Sequence, residues 1–371
     1  MSGIVGDNTS ESSGSIATVS GVTTSSSDPA VDTNPSGGVG TMFVNSTSGE
    51  MFICTDDATD ENVWTNVGDG TGNIQITAVG SQYGYTYGGY NSSAPTTVDT
   101  IQKWSFSSDG NSEDVANLSA TRYGVGGIPS GTHGYSAGGR EGSSFVDTLE
   151  KSAFASDSDM ANVGTLDDER NMPYAFYSQT YGYTSGGESP PSSTVLDSID
   201  KFIFASDASS TDVGDMTGVK FLAGAVSDWT GGYGYLLGGN SPVTNMIEKV
   251  SFASDGNGVD TGANLATSNL SSNGGVGSVT HGYSCGGYYG GPIADIQKFS
   301  FASVADSTDV GDLTASRYDL SGCSSSSYGY NTGGEAPFVD VIDKFSTSSD
   351  GDSTDVGDLI RSLAYVASVH Y

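Results

Sequence analysis

The stretch Tyr83–Gly89, with the sequence YGYTYGG, decides the predicted fold because five further copies of it follow. The copies are YGYTYGG, HGYSAGG, YGYTSGG, YGYLLGG, HGYSCGG and YGYNTGG, and they start at Tyr83, His133, Tyr181, Tyr233, His281 and Tyr328. Successive copies therefore start 47 to 52 residues apart. A period of this length is typical of chains built from one repeated supersecondary unit.

Each copy is followed by the same series of short segments. An alternating stretch such as TIQKWSF comes next, then a polar turn rich in Asp and Ser, then a segment such as TDVGDL, and then a small-residue stretch such as RYGVGGIPS. Alternation, β-branched and aromatic residues, and Gly/Asp/Ser turns predict strands rather than helices. Four short antiparallel strands per repeat predict an all-β fold of the β-propeller type.

These repeats resemble kelch repeats over roughly residues 73–371. In that family a di-glycine closes the second strand, an aromatic residue lies in the third, and an Arg precedes the first. This chain departs from the family in its fourth strand, where Val-Gly-Asp replaces the usual Trp in most repeats. The resemblance implies a kelch-like propeller.

The di-glycines are expected to have a structural role. They are predicted to take positive φ or to allow backbone to approach backbone, since a phosphate loop would need a strand-to-helix context. The twelve glycines are Gly88, Gly89, Gly138, Gly139, Gly186, Gly187, Gly238, Gly239, Gly286, Gly287, Gly333 and Gly334.

Counting the predicted strands leaves one copy of the repeat's first strand, residues 361–371 (RSLAYVASVHY), without the other three strands of its repeat. Residues 40–70 supply three further predicted strands, TMFVNS, EMFICT and VWTNVG. We therefore predict seven blades: six repeats in residues 73–360, and one blade shared between residues 40–70 and 361–371, with TMFVNS beside the C-terminal strand. The alternative is six blades with a separate N-terminal β-meander.

Composition excludes several classes of partner. The net charge of −32 and the pI near 4.1 argue against nucleic acid and anionic membranes. No apolar run approaches 18 residues and no signal peptide is evident, so we expect synthesis in a host cytoplasm without membrane insertion. Cys54, Cys285 and Cys323 lack metal-ligand spacing and are expected to be unpaired.

The cations follow the repeat, which argues against an enzyme. One repeat position holds Lys103, Lys151, Lys201, Lys249, Lys298 and Lys344, and another holds Arg122, Arg170, Lys220, Arg317 and Arg361. We expect these to pair with regular acids such as Asp212, Asp309 and Asp355. The histidines also occupy pattern positions, so we expect no catalytic site, metal or cofactor. The Asp-rich turns leave Ca²⁺ open as an alternative to ordinary turn structure.

The candidate binding residues lie in the loops after the di-glycines. These loops vary in length and carry aromatic residues and one cation outside the repeat pattern, a composition that suits recognition, including stacking on sugars. The candidates are Tyr87, Tyr90, Arg140, Phe145, Tyr288, Tyr289 and Phe338. Simple capping of the blades by these aromatic residues is the alternative.

Residues 1–39 are rich in Ser, Thr and Gly and are predicted to be an extended arm. Residues 35–72 resemble a module of tail and appendage proteins of bacteriophages, especially marine ones. The resemblance implies a virion structural protein: a tail fibre or appendage anchored to other virion proteins by the arm, with the propeller contacting a host-surface glycan or protein. A capsid-decorating or head-fibre protein and a cell-surface binding module are the alternatives, and a homo-oligomer is left open.

Overall fold

In the part of the chain that the structure describes, the regular structure is entirely β-strand. The computed structural model describes residues 22–67, 80, 82–191, 193–222, 224–267 and 273–371. Within these ranges there is no helix, and hence none long and apolar enough to cross a membrane. The chain divides into unit 1, Met1–Ile76, and unit 2, Thr77–Tyr371.

Unit 1 contains one four-stranded sheet in the order β1-β2-β3-β4. Its strands are β1 (Val22–Ser25), β2 (Met42–Asn45), β3 (Met51–Asp56) and β4 (Val63–Asn66). Alternation along β2 and β3 puts Phe43, Phe52 and Cys54 on one face, where they pack with Trp64. This small apolar cluster is the core of unit 1.

The prediction of an extended arm is wrong for residues 22–39, which pair with the N-terminal sheet. Strand β1 pairs in parallel with β2, and the Asp60 N–H donates to Asn34 Oδ1 at 2.8 Å. The Asn62 amide also donates to the Val31 carbonyl at 2.7 Å. Residues 22–39 therefore belong to unit 1, and residues 1–21 lie outside the described residues.

Unit 2 contains strands β5 to β32. The first half comprises β5 (Tyr83–Tyr90), β6 (Thr97–Ser105), β7 (Glu113–Asn117), β8 (Gly126–Pro129), β9 (His133–Ala137), β10 (Arg140–Glu141), β11 (Ser144–Phe145), β12 (Thr148–Ala153), β13 (Ala161–Thr165), β14 (Tyr174–Tyr177), β15 (Tyr181–Ser185), β16 (Glu188–Ser189), β17 (Thr194–Val195), β18 (Ser198–Ile203) and β19 (Thr211–Asp215). The second half comprises β20 (Gly224–Asp228), β21 (Tyr233–Gly239), β22 (Thr244–Ser251), β23 (Val259–Asn264), β24 (Gly274–Gly277), β25 (His281–Tyr288), β26 (Pro292–Ser300), β27 (Thr308–Asp312), β28 (Ser321–Ser324), β29 (Tyr328–Thr332), β30 (Val341–Ser346), β31 (Thr354–Asp358) and β32 (Ala367–His370).

These strands form six antiparallel four-stranded sheets, one per repeat, and two short hairpins, β10-β11 and β16-β17. From first to fourth strand the sheets are sheet 1 (β32-β5-β6-β7), sheet 2 (β8-β9-β12-β13), sheet 3 (β14-β15-β18-β19), sheet 4 (β20-β21-β22-β23), sheet 5 (β24-β25-β26-β27) and sheet 6 (β28-β29-β30-β31). The prediction of short antiparallel strands from the repeat pattern is confirmed.

The prediction that residues 40–70 and 361–371 share one blade, by an exchange of strands between the two ends, is wrong. Strand β32 pairs with β5, with Ala367 opposite Tyr87 and Val369 opposite Tyr85, so it completes sheet 1 within unit 2. Strand β2, which contains most of TMFVNS, has β1 and β3 as its neighbours instead. The N-terminal sheet is thus separate, as the six-repeat alternative expected. The first strand predicted after Gly72, NIQITAVGSQ at residues 73–82, lies outside the described residues except for Gly80 and Gln82.

Successive sheets contact one another, and the series returns to its start. First strands are neighbours in the order β32, β8, β14, β20, β24 and β28, and β28 lies beside β32. A backbone N–H near the end of each fourth strand donates to a side chain in the Asp-rich turn of the next sheet. The six contacts are Asn117 to Asp159, Thr165 to Ser209, Asp215 to Asn257, Asn264 to Asp306, Asp312 to Asp352 and Asp358 to Asn111.

Five of the six repeated lysines also join neighbouring sheets, but not through the acids that we expected. Their partners are aspartates in the turn of the next sheet, in the pairs Lys103–Asp157, Lys151–Asp207, Lys201–Asp255, Lys298–Asp350 and Lys344–Asp109. Asp212, Asp309 and Asp355 point to solvent in the fourth strands. The partner carboxyls are 30% to 58% exposed, so each pair contributes only about 0–1 kcal/mol.

A second set of ion pairs is fully buried within sheets. The residue four before the first strand pairs with a third-strand acid in Arg122–Glu150, Arg170–Asp200, Lys220–Glu248 and Arg317–Asp343. In sheet 1 this place holds Leu363, which is 0% exposed, and the third-strand residue is Gln102. The prediction that Arg361 belongs to this set is wrong, since it lies two residues earlier and donates to the Pro95 carbonyl at 3.1 Å.

The glycines of the repeat motif have two separate roles. All twelve di-glycine residues have positive φ, as predicted. The glycine between the two aromatics is needed for space: a Cβ at Gly282 would lie 2.4 Å from the Phe299 ring, and one at Gly134 would lie 1.8 Å from the Tyr87 hydroxyl. A ring packed on bare backbone therefore explains why Gly recurs there.

Candidate binding surface

One end of unit 2 combines a constant backbone with varied side chains. Each second strand ends within one residue of a di-glycine, and the loop that follows leaves beside the segment entering a first strand. We call this end of the sheets the loop end. The residues directly after the di-glycines differ between sheets: they are Tyr90, Arg140, Glu188, Asn240, Tyr288 and Glu335.

The backbone holds these residues in equivalent positions. Five of the six form a β-bridge to a residue just before a first strand, in the pairs Tyr90–Ala364, Arg140–Tyr123, Glu188–Asn171, Asn240–Phe221 and Glu335–Tyr318. Because the bridges are the same while the side chains differ, the scaffold fixes position and leaves the chemistry free to vary.

Four aromatic residues form a cluster at the loop end. The ring of Tyr90 lies 5.4 Å from that of Tyr123, 6.0 Å from that of Phe338 and 6.3 Å from that of Tyr365. All four side chains are half-buried, so each leaves part of its surface open to solvent. Tyr365 has a φ of +54°, an unfavourable region for a bulky residue. Partly open rings on a fixed backbone are suited to stacking with a ligand.

Tyr318 and Tyr365 at the loop end stay uncharged at neutral pH. A hydrogen bond with Glu335 and burial together raise the pKa of Tyr318 to about 12. Burial and the carboxyls of Asp319 and Glu335 raise the pKa of Tyr365 well above its usual range. Both hydroxyl groups therefore stay protonated, and each already donates to a carboxyl group, Tyr318 to Glu335 and Tyr365 to Asp319.

Arg140 extends the cluster towards sheet 3. Its backbone is paired with Tyr123 on one side and with Phe145 on the other, through the hairpin β10-β11. Residues directly opposite each other in such pairs have neighbouring side chains. The guanidinium accordingly lies over both rings, 6.0 Å from the centroid of Tyr123 and 5.7 Å from that of Phe145.

A groove of about 430 Å³ lies beside this arginine. Arg140 and Phe145 line one wall, and Glu169 and Pro190 contribute from the neighbouring repeat. The remaining lining residues are Ser143, Ser144 and Ser193. The groove thus combines a cation, a carboxylate, hydroxyls and an aromatic ring.

A second aromatic site lies on sheet 5. Tyr288 packs edge-on against Tyr318 at 5.3 Å, and the adjacent Tyr289 is 60% exposed. Tyr289 is the most exposed aromatic residue in the described part of the chain. The predicted candidates Tyr288 and Tyr289 are therefore at the surface, one half-buried and one open.

The structure corrects one candidate and adds others. Tyr87 is 0% exposed and packs in the core with Tyr85, because residues two apart in a strand share a face. Its prediction as a surface residue is wrong. Tyr123, Tyr365 and Glu169 were not predicted. Tyr123 and Tyr318 directly follow the buried Arg122 and Arg317, and this repetition of Arg-Tyr was visible in the sequence.

Other parts of unit 2 have fewer functional groups suited to a binding or catalytic site. A cavity of about 100 Å³ is lined by first strands of all six sheets, mainly by small residues such as Gly126, Gly224 and Gly322. The three cysteines are free, as predicted. All three are also buried, and burial raises the pKa of the Cys285 thiol to about 12. Among the residues described, no three His, Cys, Asp or Glu side chains are grouped to hold a metal ion.

The Asp-rich turns have structural partners. Asp109 and Asp255 bind lysines of neighbouring sheets, and Asp352 accepts a backbone N–H from sheet 5. These contacts use the same carboxyls that a cation would need. Comparison of the chain with models of protein families gives no match, and comparison with curated proteins gives no match either.

Proposed function

We propose that unit 2 is a six-bladed, kelch-like β-propeller in which each sheet is a blade and β32 closes blade 1. Three observations support this proposal. First-strand neighbours return to their starting point, each fourth strand is bonded to the next sheet, and the six first strands line one cavity. The Tyr-Gly-Tyr and Gly-Gly pattern of the repeats agrees with it.

We further propose that this propeller is a non-enzymatic binding module whose loop end recognises a surface ligand, in the first instance a glycan. The observation that carries the proposal is the contrast at the loop end: equivalent bridged positions hold Tyr, Arg, Glu and Asn, next to partly open aromatic rings. A module that acts only as a spacer or a cap does not need different side chains at these equivalent positions. Aromatic faces with adjacent polar groups are suited to sugars.

The biological setting that we propose is a bacteriophage virion, with the chain as part of a tail fibre or similar appendage. This rests on the resemblance of residues 35–72 to appendage modules. The varied loop end favours a receptor-contacting role over capsid decoration. Other virion proteins are the proposed partners of the N-terminal segment.

We expect the purified full-length chain to compete with phage particles for host cells. Replacing Tyr289 with Ala should raise the concentration needed for half-maximal inhibition about tenfold, because an exposed aromatic anchor is lost. Tyr328→Ala is the matched control: Tyr328 is 40% exposed and begins β29, at the opposite end of the sheet from the loops. It should inhibit adsorption as the wild type does.

Two results would contradict the proposal. If the chain is present in particles but does not compete for cells, a decorating role is favoured instead. If Tyr328→Ala weakens competition and Tyr289→Ala does not, the binding surface lies at the other end of the sheets.

A further inference from the structure

Arg140 is a cation at the loop end that forms no ion pair with the residues that the structure describes. Nine of the twelve lysines and arginines form ion pairs with residues in the described part of the chain. Of the other three, Lys249 lies over the Tyr233 ring and Arg361 donates to two carbonyl groups. Arg140 forms no ion pair within the described ranges, although the chain has 44 acidic residues for its 12 cations.

The position of the guanidinium prepares it for an acceptor from outside. It lies over the rings of Tyr123 and Phe145, and its Nε is buried without a hydrogen-bond partner among the described residues, so a ligand meets the Nη groups. Stacking on ring faces leaves the in-plane N–H groups of an arginine free to donate. Those groups match the two oxygens of a planar carboxylate.

The rest of the groove limits the kind of anion. Arg140 is the only cation among the residues that line it, and Glu169 lies in the same groove. A densely charged polymer would meet the net charge of −32 and a single counter-ion. A sugar with one carboxylate needs only that counter-ion, while Glu169 and the serines can bond to its hydroxyl groups.

We infer that the groove formed by Arg140, Ser143, Ser144, Phe145, Glu169, Pro190 and Ser193 binds a uronic-acid sugar within a sparsely charged glycan. Arg140 holds the sugar carboxylate, and the apolar face of the sugar packs on Phe145. This inference rests on the proposed function, since it names the ligand class for one part of the loop end.

The test measures binding of the full-length chain to a tetrasaccharide that carries one glucuronic acid, and to the same compound after reduction of its carboxyl to a hydroxymethyl group. We expect the acid form to bind about tenfold more tightly, because a charge-assisted bidentate bond is lost on reduction. Raising the salt concentration should shrink this preference. Arg140→Gln should abolish it, and Arg140→Lys should leave only part of it.

Arg361→Gln is the matched control, because Arg361 also donates to a loop at this end, through the carbonyls of Ser93 and Pro95. It should keep the full preference for the acid. Equal binding of the two tetrasaccharides, no binding of either, or an unchanged preference in Arg140→Gln would overturn the inference. Tighter binding of a singly sulfated tetrasaccharide would also overturn it, in favour of a sulfate site.

Competition for host cells separates this inference from the proposed function. If the wild-type chain competes with particles but does not bind the tetrasaccharide, the loop-end function stands and the uronic-acid assignment fails. Arg140→Gln is also compared with the wild type on cells whose glycans have been oxidised with periodate. If its loss of competition is as large on these cells as on untreated cells, the acceptor is a protein carboxylate and the assignment also fails. A wild-type chain that never competes contradicts the proposed function itself.

Discussion

Deletion of residues 361–371 is expected to unfold unit 2. The deletion removes β32, the first strand of sheet 1, and leaves β5 with an unpaired edge. It also removes Leu363, Val366 and Val369, which are 0%, 7% and 1% exposed. Each buried side chain of this size contributes about 1.5–3 kcal/mol, and a typical domain is stable by only about 5–15 kcal/mol. Thermal unfolding followed by circular dichroism measures the effect.

Deletion of residues 1–76 is the matched comparison. Every strand pairing of unit 2 among the described residues joins positions within 77–371, so we expect the remaining chain to fold and to melt cooperatively. The strand exchange that the sequence suggested predicts equal damage from both deletions. A folded protein without residues 361–371, or an unfolded one without residues 1–76, would contradict the pairing of β32 with β5.

Replacing Arg122 with Leu is expected to destabilise unit 2 by about 3–5 kcal/mol, because it leaves a buried carboxylate without its partner. Arg122 and Glu150 are 1% and 0% exposed. The Ser119 N–H, which donates to Glu150 Oε2 at 3.2 Å, does not neutralise the charge. Chemical denaturation measures the change in the free energy of unfolding.

The double variant Arg122→Leu with Glu150→Gln should recover most of that loss, since sheet 1 uses this combination already. There Leu363 and Gln102 occupy the two places, and the Ile360 N–H donates to Gln102 Oε1 at 2.7 Å, as Ser119 does in sheet 2. Sheet 5 has Gln297 in the third strand, with Leu270 four residues before β24 in the sequence, outside the described residues. A double variant no more stable than the single one would show that the charge pair is not the cause.

Much of the fold could be predicted because each repeat carries its own local pattern. Period-2 alternation set the strands, and di-glycines set the positive-φ positions. The partner of the last strand could not be predicted in the same way. Both TMFVNS and YGYTYGG alternate and could accept a neighbour, and strand β1 lies in VTTS, which has no apolar pattern. Long-range pairing is decided by which sheet lacks a strand, and one repeat does not contain that information.

The candidate site was predictable at the level of the loops but not of each side chain. Arg140, Phe145, Tyr288 and Tyr289 break the repeat pattern and lie at the loop end. Tyr87 does not break it: its alternation with Tyr85 already indicated the buried face. Contacts between sheets, such as that of Tyr90 with Phe338, join residues almost 250 positions apart, and no local pattern encodes them.

The buried pairs show a different limit. Arg361 shares a residue type with Arg122, but register is set by distance from the first strand, which places Leu363 there instead. The joint change of the two partners, Arg or Lys with an acid and Leu with Gln, was present in the sequence. This joint change indicates a buried pair only once the third strand is known to lie beside the residue four before the first strand.

Oxidative footprinting of the full-length chain, free and bound to envelope fragments of a susceptible host, tests the central claim most directly. The claim is that recognition takes place at the loop end of unit 2. We predict that binding lowers the oxidation of Tyr289 and of the cluster around Tyr90, while Tyr328 at the opposite end keeps its oxidation rate. Protection of Tyr328 with Tyr289 left unchanged would contradict the claim.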